Sequence, residues 1–403
     1  MDPLDFELQF AENKTKYNLG AVTDGSITTA KLADGAVTSA KIAAGAGGIT
    51  VCTSTTRPAT PNTGQSIYET DTNLLRIYTG TNWSNGVIFN NSITTEYFIA
   101  AGGGGAGTSL TGGAGGGGAM YVSSSSLVYG NTYTVTVGAG GAGTISSGQG
   151  TDTGGSIGAS SSFAGATCKG GGAGWNRSAS SYFNNANATG GANGAGGSSD
   201  GVRTAGQTGT IDTIPAGATG TAYGGRTGGN GIGADGLNYA GGGGAGAGAN
   251  GATVVSGSTP GNGGAGVINP IDGFYYGGGG GGSGYTGAMP GGNGGLGGGG
   301  GGAKATTSPG AGGTGGRNVG AAGTGGTNSD TNYPGGAGGA NTGGGGGGGG
   351  HSTGNGGAGG SGAVVIRTSS TYPTALTTGS GVTMTNANGY KTYVFLSTGS
   401  ITW

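Results

Sequence analysis

Charged residues, proline and long apolar runs are all scarce in this 403-residue chain, and each scarcity excludes a class of protein. Lys and Arg number 14 against 15 Asp and Glu, so there is no basic excess to predict nucleic-acid binding. The 10 prolines are too few for a collagen triple helix, which also needs glycine at every third position. No run of about 18 apolar residues occurs, so the sequence predicts no membrane insertion through a helix.

Residues that carry catalytic or redox chemistry are equally sparse. The two cysteines, Cys52 and Cys168, are far apart and fit no disulfide or metal pattern, so we interpret them as small apolar residues. The single histidine, His351, has no nucleophile motif beside it, and we interpret it as a turn residue after a glycine run. The acidic, alternating start "MDPLDFELQF" is not typical of a secretory signal.

Two further chemical patterns also fail to predict an enzyme. Gly138, Gly140 and Gly143 have dinucleotide-fingerprint spacing after a strand, but "TISSGQGTDTGG" cannot open the helix that a fingerprint needs. Acidic residues in the glycine-rich region stand mostly in turn contexts, where backbone hydrogen bonding explains them. They are Asp152, Asp200, Asp212, Asp235, Asp272 and Asp330. We therefore expect no enzyme, no cofactor and no metal.

Glycine is what the chain has in abundance, with 114 residues and a run of eight at Gly343–Gly350. High glycine content without a period is a signal of disorder, but disordered chains usually carry net charge and few aromatic residues. This chain has a formal net charge of −1 and contains 17 Tyr, 8 Phe and 3 Trp, so we predict that it is ordered. Extended threefold glycine helices lack side chains and can bond N–H to C=O on every side.

Recognisable strands flank the glycine runs. In the stretch 274–303, "FYYGGGGGGSGYTGAMPGGNGGLGGGGGGA", we expect two rods, Gly277–Gly282 and Gly297–Gly302, joined by a turn. Alternation predicts strands in "TTEYFIAA" (94–101), "NTYTVTVGAG" (131–140), "GAVVIRTSS" (362–370), "YKTYVFLS" (390–397) and "GSITW" (399–403).

The region before the glycine runs contains three kinds of segment. Residues 1–20 have Phe6, Leu8 and Phe10 on one face of a possible strand. A ten-residue repeat follows, "DGSITTAKLA" and then "DGAVTSAKIA", whose larger apolar residues need a neighbour to bury them. Three chains around one axis would bury them; the alternative is a flexible spacer.

Residues 49–90 predict a small β module. Two short strands, "QSIYET" and "LLRIYTG", are separated by the turn "DTN", and their alternation predicts a core of Tyr68, Leu75, Tyr78 and Trp83. Such a core is too small to be stable alone, so the module is again expected to pack against a neighbouring chain or domain.

These segments together resemble a known family. "TEYFIAAGGGGAG", "YTVTVGAGGAG", "GGAGVINPIDGFYYGGGGGGSG", "NTGGGGGGGG" and "GGSGAVVIRT" follow the order seen in glycine-rich tail fibres and receptor-binding adhesins of bacteriophages. The module at 50–84 is similar to a short β module of phage virion proteins, and "DGAVTSAKIA" resembles phage-fibre shafts. The sequence departs from the family in one respect, because "GYKTYVF" and "STGSITW" end the chain instead of preceding "EYFIAAGGGG".

The resemblance implies a mostly β, elongated fibre protein of the virion. Its parts would be a virion-attachment segment at 1–20, shaft repeats at 21–48, the β module at 49–90, a glycine-rich distal domain at 91–370 and C-terminal strands at 371–403. In the distal domain, polyglycine-II-like helices would be bracketed by a β-sandwich. The family is commonly homotrimeric and is made in the host cytoplasm.

The resemblance also suggests where partners bind. Phe6, Leu8 and Phe10 are candidates for attachment to phage tail or adaptor proteins. Loops of the distal domain would contact a host surface polysaccharide or outer-membrane protein, and exposed aromatics with Arg and Asn suit such recognition. The candidates are Trp175, Asn176, Arg177, Tyr182, Phe183, Arg203, Tyr223 and Arg226.

Some readings of these residues remain open. Trp175 and Phe183 either contact a receptor or cap the glycine lattice, whereas capping is favoured for Tyr275 and Tyr276. A head or neck fibre, or a decoration protein without a receptor role, is the alternative function. A depolymerase that cleaves polysaccharide with two carboxylates is the least favoured.

Overall fold

The structure of the protein is a computed structural model. It describes residues 48–72, 74–88, 92–109, 111–145, 154–174, 191–198, 208–233, 239–255, 261–285, 290–304, 308–325, 332–351 and 353–403. These residues form several β-sheets and contain no α-helix, which confirms the predicted mostly β class. The chain divides into two units, Met1–Asn90 and Asn91–Trp403.

The strands of the first unit are β1 Ile49–Cys52, β2 Ser66–Glu69, β3 Leu74–Ile77 and β4 Val87–Ile88. Those of the second are β5 Ser92–Ala100, β6 Ala119–Val128, β7 Thr132–Thr136, β8 Ser161–Phe163, β9 Ala166–Cys168, β10 Thr219–Tyr223, β11 Val267–Ile268, β12 Tyr275–Tyr276, β13 Ala363–Ser369, β14 Leu376–Thr378, β15 Thr383–Ala387, β16 Tyr390–Phe395 and β17 Gly399–Thr402.

The first unit contains one four-stranded sheet in the order β1-β2-β3-β4, with β1 parallel to β2 and the other pairs antiparallel. Its fully buried side chains include Ile67 and Glu69 on β2. Arg57 and Arg76 both form ion pairs with Glu69, and the Arg76 Nε to Glu69 Oε2 distance is 3.0 Å. A buried carboxylate is tolerated here because two guanidinium groups compensate its charge.

The predicted core of this unit was wrong. Tyr68, Leu75, Tyr78 and Trp83 are only half-buried, although the rings of Tyr78 and Trp83 pack with centroids 5.3 Å apart. The fully buried side chains are those of Ile67 and Glu69, which lie on the face of β2 opposite to Tyr68. Hydrophobic alternation selects the more apolar face, and it cannot anticipate that a glutamate is buried by two arginines.

Two sheets of the second unit pack face to face. One has the order β10-β6-β5-β13-β16-β15 and the other β14-β17-β7-β8-β9. Aromatic rings fill the space between them, with Tyr97 of β5 edge-on to Phe163 of β8 at 5.0 Å between centroids. The C-terminal strands complete both sheets within the same chain, because β16 pairs with β13 and β17 pairs with β7.

Most predicted strands of this unit are confirmed. The segments 94–101, 131–140, 362–370, 390–397 and 399–403 correspond to β5, β7, β13, β16 and β17. Strand β6 was not predicted from the sequence, and it contains four consecutive serines at 123–126. Serine has little β propensity, but β6 is hydrogen-bonded to β5 on one side and to β10 on the other, so pairing overrides propensity.

The glycine runs between residues 101 and 362 form a body, here called the glycine body, that is held together by its backbone. Around Gly343–Gly350 the hydrogen bonds repeat every three residues: the N–H groups of Gly345 and Gly348 both donate to run 277–285. The N–H groups of Gly345–Gly350 donate to three neighbouring runs, which are 277–285, 101–107 and 332–339. The C=O groups of Gly343–Gly348 accept hydrogen bonds from three other runs, which are 112–118, 354–362 and 299–304. One run therefore bonds six neighbours.

The interior of the glycine body has no space for side chains. All eight residues of Gly343–Gly350 are buried. A Cβ atom placed on Gly346 would lie 2.0 Å from the carbonyl oxygen of Gly357. Glycine is required here because the neighbouring backbones occupy the position of the side chain.

The stretch 274–303 contains one more run than predicted. Residues 277–285 lead away from β12, residues 290–296 return antiparallel to them, and residues 299–304 lead away again. Gly297 and Gly298, placed by the sequence analysis in the second rod, have φ values of 92° and 85° and form the turn. The prediction of two rods was therefore wrong, because "GGNGGL" is itself a run.

Candidate functional site

The glycine body has two ends with different residues. At one end, here called the sheet end, the runs join the strands: β5 continues into Ala101, and Gly118 leads into β6. Run 101–107 and run 112–118 are antiparallel, since Ala101 donates to Gly118 and Gly104 donates to Gly115. Residues 108, 109 and 111 therefore lie at the opposite end, here called the far end.

The same register places other run ends at the far end. Many described runs stop or resume there, on either side of residues outside the description. Among them are runs that stop at 145, 233, 255, 285, 304 and 325 and runs that resume at 154, 239, 261, 290, 308 and 332. Hydrogen bonds such as Gly292 N–H to Gly282 C=O establish this for each pair.

Three aromatic rings cluster at the far end. Tyr285 lies between Tyr239 and His351, with ring centroids 5.8 Å and 4.4 Å apart respectively. A row of bridges holds the backbone beneath them, since Ala240 pairs with Gly284 and Gly284 pairs with Lys304. All three rings are half-buried, so part of each remains open to solvent.

Lys304 adds a cation to this neighbourhood. Its residue is 5% exposed, and burial lowers the pKa of its ammonium group. Within the described part of the chain no carboxylate forms an ion pair with it. Half-exposed rings with phenol hydroxyls suit stacking on sugar rings or packing on a protein surface.

Of the predicted receptor residues, only Tyr223 and Arg226 fall within the described residues, and both lie at the sheet end. Tyr223 pairs with Ala119 and packs, partly buried, against the cluster that contains Phe98. Arg226 has an exposed side chain, and its backbone pairs with Asn193. The structure does not describe Trp175, Asn176, Arg177, Tyr182, Phe183 or Arg203.

The candidates for virion attachment, Phe6, Leu8 and Phe10, also lie outside the described residues. Gly174, the last described residue before Trp175, lies at the far end, since its N–H donates to Gly105 C=O.

A polar network closes the sheet end. Tyr276 is fully buried against Phe98, with ring centroids 5.1 Å apart. Its hydroxyl donates to Asp272 Oδ2 at 2.8 Å and accepts from Arg317 Nε at 2.7 Å, while Arg317 Nη2 donates to Asp272 at 2.9 Å. The Arg317 guanidinium also lies 5.1 Å from the centroid of Phe274. This network supports the capping interpretation of Tyr276.

The described carboxylates of the glycine body serve structural contacts. Burial raises the pKa of Asp212, which accepts a hydrogen bond from the Lys169 N–H at 2.9 Å. Asp272 bonds Tyr276 and Arg317. Four further carboxylates, Asp152, Asp200, Asp235 and Asp330, lie outside the description.

The described residues contain no group of three His, Cys, Asp or Glu residues arranged to hold a metal ion. Within the same ranges there is no helix with the length and apolar character to span a bilayer.

The far-end cluster was not predicted from the sequence. Tyr239, Tyr285 and Lys304 are far apart in sequence, and His351 was interpreted only as a turn residue. A usable signal was present: each of these four residues stands directly at the end of a glycine-rich run. Runs that alternate in direction bring such residues together at one end.

No known protein family matches the chain, and no curated protein is significantly similar to it.

Proposed function

We propose that this protein is a structural protein of a virion, a bacteriophage tail fibre that attaches the particle to the host cell. The attachment surface is the far end of the glycine body. The chain forms a homotrimer, its N-terminus binds phage tail or adaptor proteins, and its receptor is a surface polysaccharide or outer-membrane protein. The protein has no enzymatic role.

The observation that carries this proposal is the difference between the two ends of the glycine body. The sheet end is closed by the sheets and by the network of Asp272, Tyr276 and Arg317. The far end presents half-exposed rings where the runs reverse. A rigid body that holds surface connections at one end is an arrangement suited to recognition.

The proposed fold is an elongated fibre with a polyglycine-II-like distal domain bracketed by a β-sandwich. Two features support it: the three-residue repeat of hydrogen bonds around Gly343–Gly350, and the two sheets that pack over a common core. Polyglycine-II-like helices have about three residues per turn, which accounts for the three neighbours that Gly343–Gly350 reaches through its N–H groups and the three that it reaches through its C=O groups.

Competition for adsorption tests the proposed function. Purified full-length protein is added to host cells before the phage that encodes it, and free phage are counted. We expect adsorption to fall in proportion to the bound protein, with heat-denatured protein as the control. Unchanged adsorption with saturating protein would contradict the receptor role and favour the head or neck fibre. Release of reducing sugar from host polysaccharide would instead favour a depolymerase.

A further inference from the structure

We infer that one face of the four-stranded sheet in the first unit is the surface through which copies of this chain assemble. This face, here called the apolar face, consists of Ile49, Val51, Tyr68, Leu75 and Ile77. The inference rests on the homotrimer of the proposed function and assigns its contact surface.

Strand register places these side chains together. Val51 is paired with Tyr68, and Tyr68 is paired with Leu75, so the three lie side by side across β1, β2 and β3. Paired residues of neighbouring strands point to the same face of a sheet. By the same register, Ile49 and Ile77 flank Ser66 at the next position along that face.

Three of the five residues of the apolar face are exposed in the single chain, and Tyr68 and Leu75 are half-buried. Val51 is 66% exposed, Ile49 56% and Ile77 48%, and no charged residue stands at these paired positions. The opposite face is closed by Ile67 and the ion pairs of Glu69. A sheet needs cover on at least one apolar face for stability, and contiguous exposed apolar groups mark interaction sites.

The occupant that fits is the same surface of other copies. The face carries no charge and so offers nothing to a charged partner. The described chain begins one residue before β1, and the preceding sequence carries Ile27, Leu32, Val37 and Ile42 at five-residue intervals. Those residues need cover as well, and closed symmetry around one axis covers both sets with identical chains.

An aspartate at the most exposed position of the face tests the inference. In a single chain, Val51→Asp changes a surface residue and is nearly neutral. In an assembly it buries an unpaired charge at the contact. We expect native mass spectrometry to give three times the chain mass of 37.2 kDa for the natural protein and the mass of one chain for Val51→Asp. Val319→Asp is the matched control, because Val319 is 64% exposed in the second unit, and it retains the three-chain mass.

A labelling experiment covers the case in which the aspartate variant is insoluble. Val51→Cys and Val319→Cys are each made with Cys52→Ser, and reaction with a thiol reagent is timed on the folded protein. We expect Val51→Cys to react at least tenfold more slowly. Equal rates, or a three-chain mass for Val51→Asp, would overturn the inference. Neither result affects the adsorption experiment, so failure of the interface is distinguishable from failure of the proposed function.

Discussion

The glycine body and the paired sheets of the second unit exclude water by opposite means. Between the sheets, large side chains such as Tyr97 and Phe163 fill the interior, and the backbone is bonded in ordinary ladders. Inside the glycine body the backbone itself fills most of the interior, and the runs bond their neighbours mainly through backbone N–H and C=O groups, with a few side chains such as the buried Asn193 added. The two regions are continuous, because β5 passes from one into the other between Ala100 and Ala101.

This difference determines which substitutions each region tolerates. A side-chain core accepts changes that conserve volume and loses stability when atoms are removed. The glycine positions of the backbone-filled interior have no side-chain atoms to remove and no space for added ones. Its stability comes from hydrogen bonds that must offset the large conformational entropy of glycine.

The largest effect is expected from a side chain placed inside the glycine body. Gly346→Val should abolish cooperative folding, because even its Cβ would lie 2.0 Å from the oxygen of Gly357. Circular dichroism and soluble yield measure the result. Ala358→Val is the control: Ala358 is an exposed residue of a neighbouring run, and its variant should melt like the natural protein. A normal melt for Gly346→Val would contradict the backbone-filled interior.

The next effect is the loss of a ring between the sheets. Phe163→Ala should lower the free energy of unfolding by about 3–5 kcal/mol, because it leaves a cavity beside Tyr97 and Tyr133. Phe163→Leu should cost clearly less, since most of the volume is kept. Denaturant titration measures both variants. Equal costs would indicate that the space between the sheets is not closely packed.

Low pH is expected to destabilise the first unit but not the glycine body. Burial acts to raise the pKa of Glu69, but hydrogen bonds from Arg57, Thr72 and Arg76 outweigh it and lower that pKa to about 2. A carboxyl with a lowered folded pKa stabilises the fold above its ordinary pKa of 4.5, and this contribution is lost as the pH falls toward 2. Amide exchange should therefore lose protection at 66–77 in this window, while Gly343–Gly350 stays protected.

A matched variant identifies the group responsible for the acid step. Glu69→Gln removes the titrating carboxyl, so the protection of residues 66–77 should no longer change between pH 4.5 and 2. An unchanged acid step in this variant would assign it to another group.

The smallest effect on stability is expected at the far end, where the effect on binding should be large. Tyr285→Ala should weaken binding to host cells by about tenfold or more, as for an aromatic hot spot, with little change in melting temperature. Tyr275→Ala is the control, since Tyr275 is also half-buried but lies at the sheet end, in β12. Equal binding by the two variants would place recognition elsewhere.

Local patterns were sufficient for several parts of the fold. Alternation identified β5, β7, β13, β16 and β17, and low charge with many aromatics predicted order despite the glycine content. The extra run in 274–303 was missed because Gly297 and Gly298 look like any other glycines, and only their positive φ marks the turn. The buried Glu69 was missed because its partner Arg57 lies twelve residues away.

The candidate site at the far end was harder to predict from the sequence than the strands were. Tyr223 and Arg226 stood out as an aromatic and a cation in a polar segment, but the structure places both at the sheet end. Tyr239, Tyr285 and His351 meet only because successive runs alternate in direction. That alternation depends on where each run turns, which glycine composition does not encode.

The reversal of the runs at the far end also constrains how this gene can change. A chain that leaves the sheets and must return to them gains or loses runs in pairs, one outward and one inward, together with the connection between them. Because the cost of closing a loop rises slowly with its length, connections can lengthen or diverge while the runs stay unchanged.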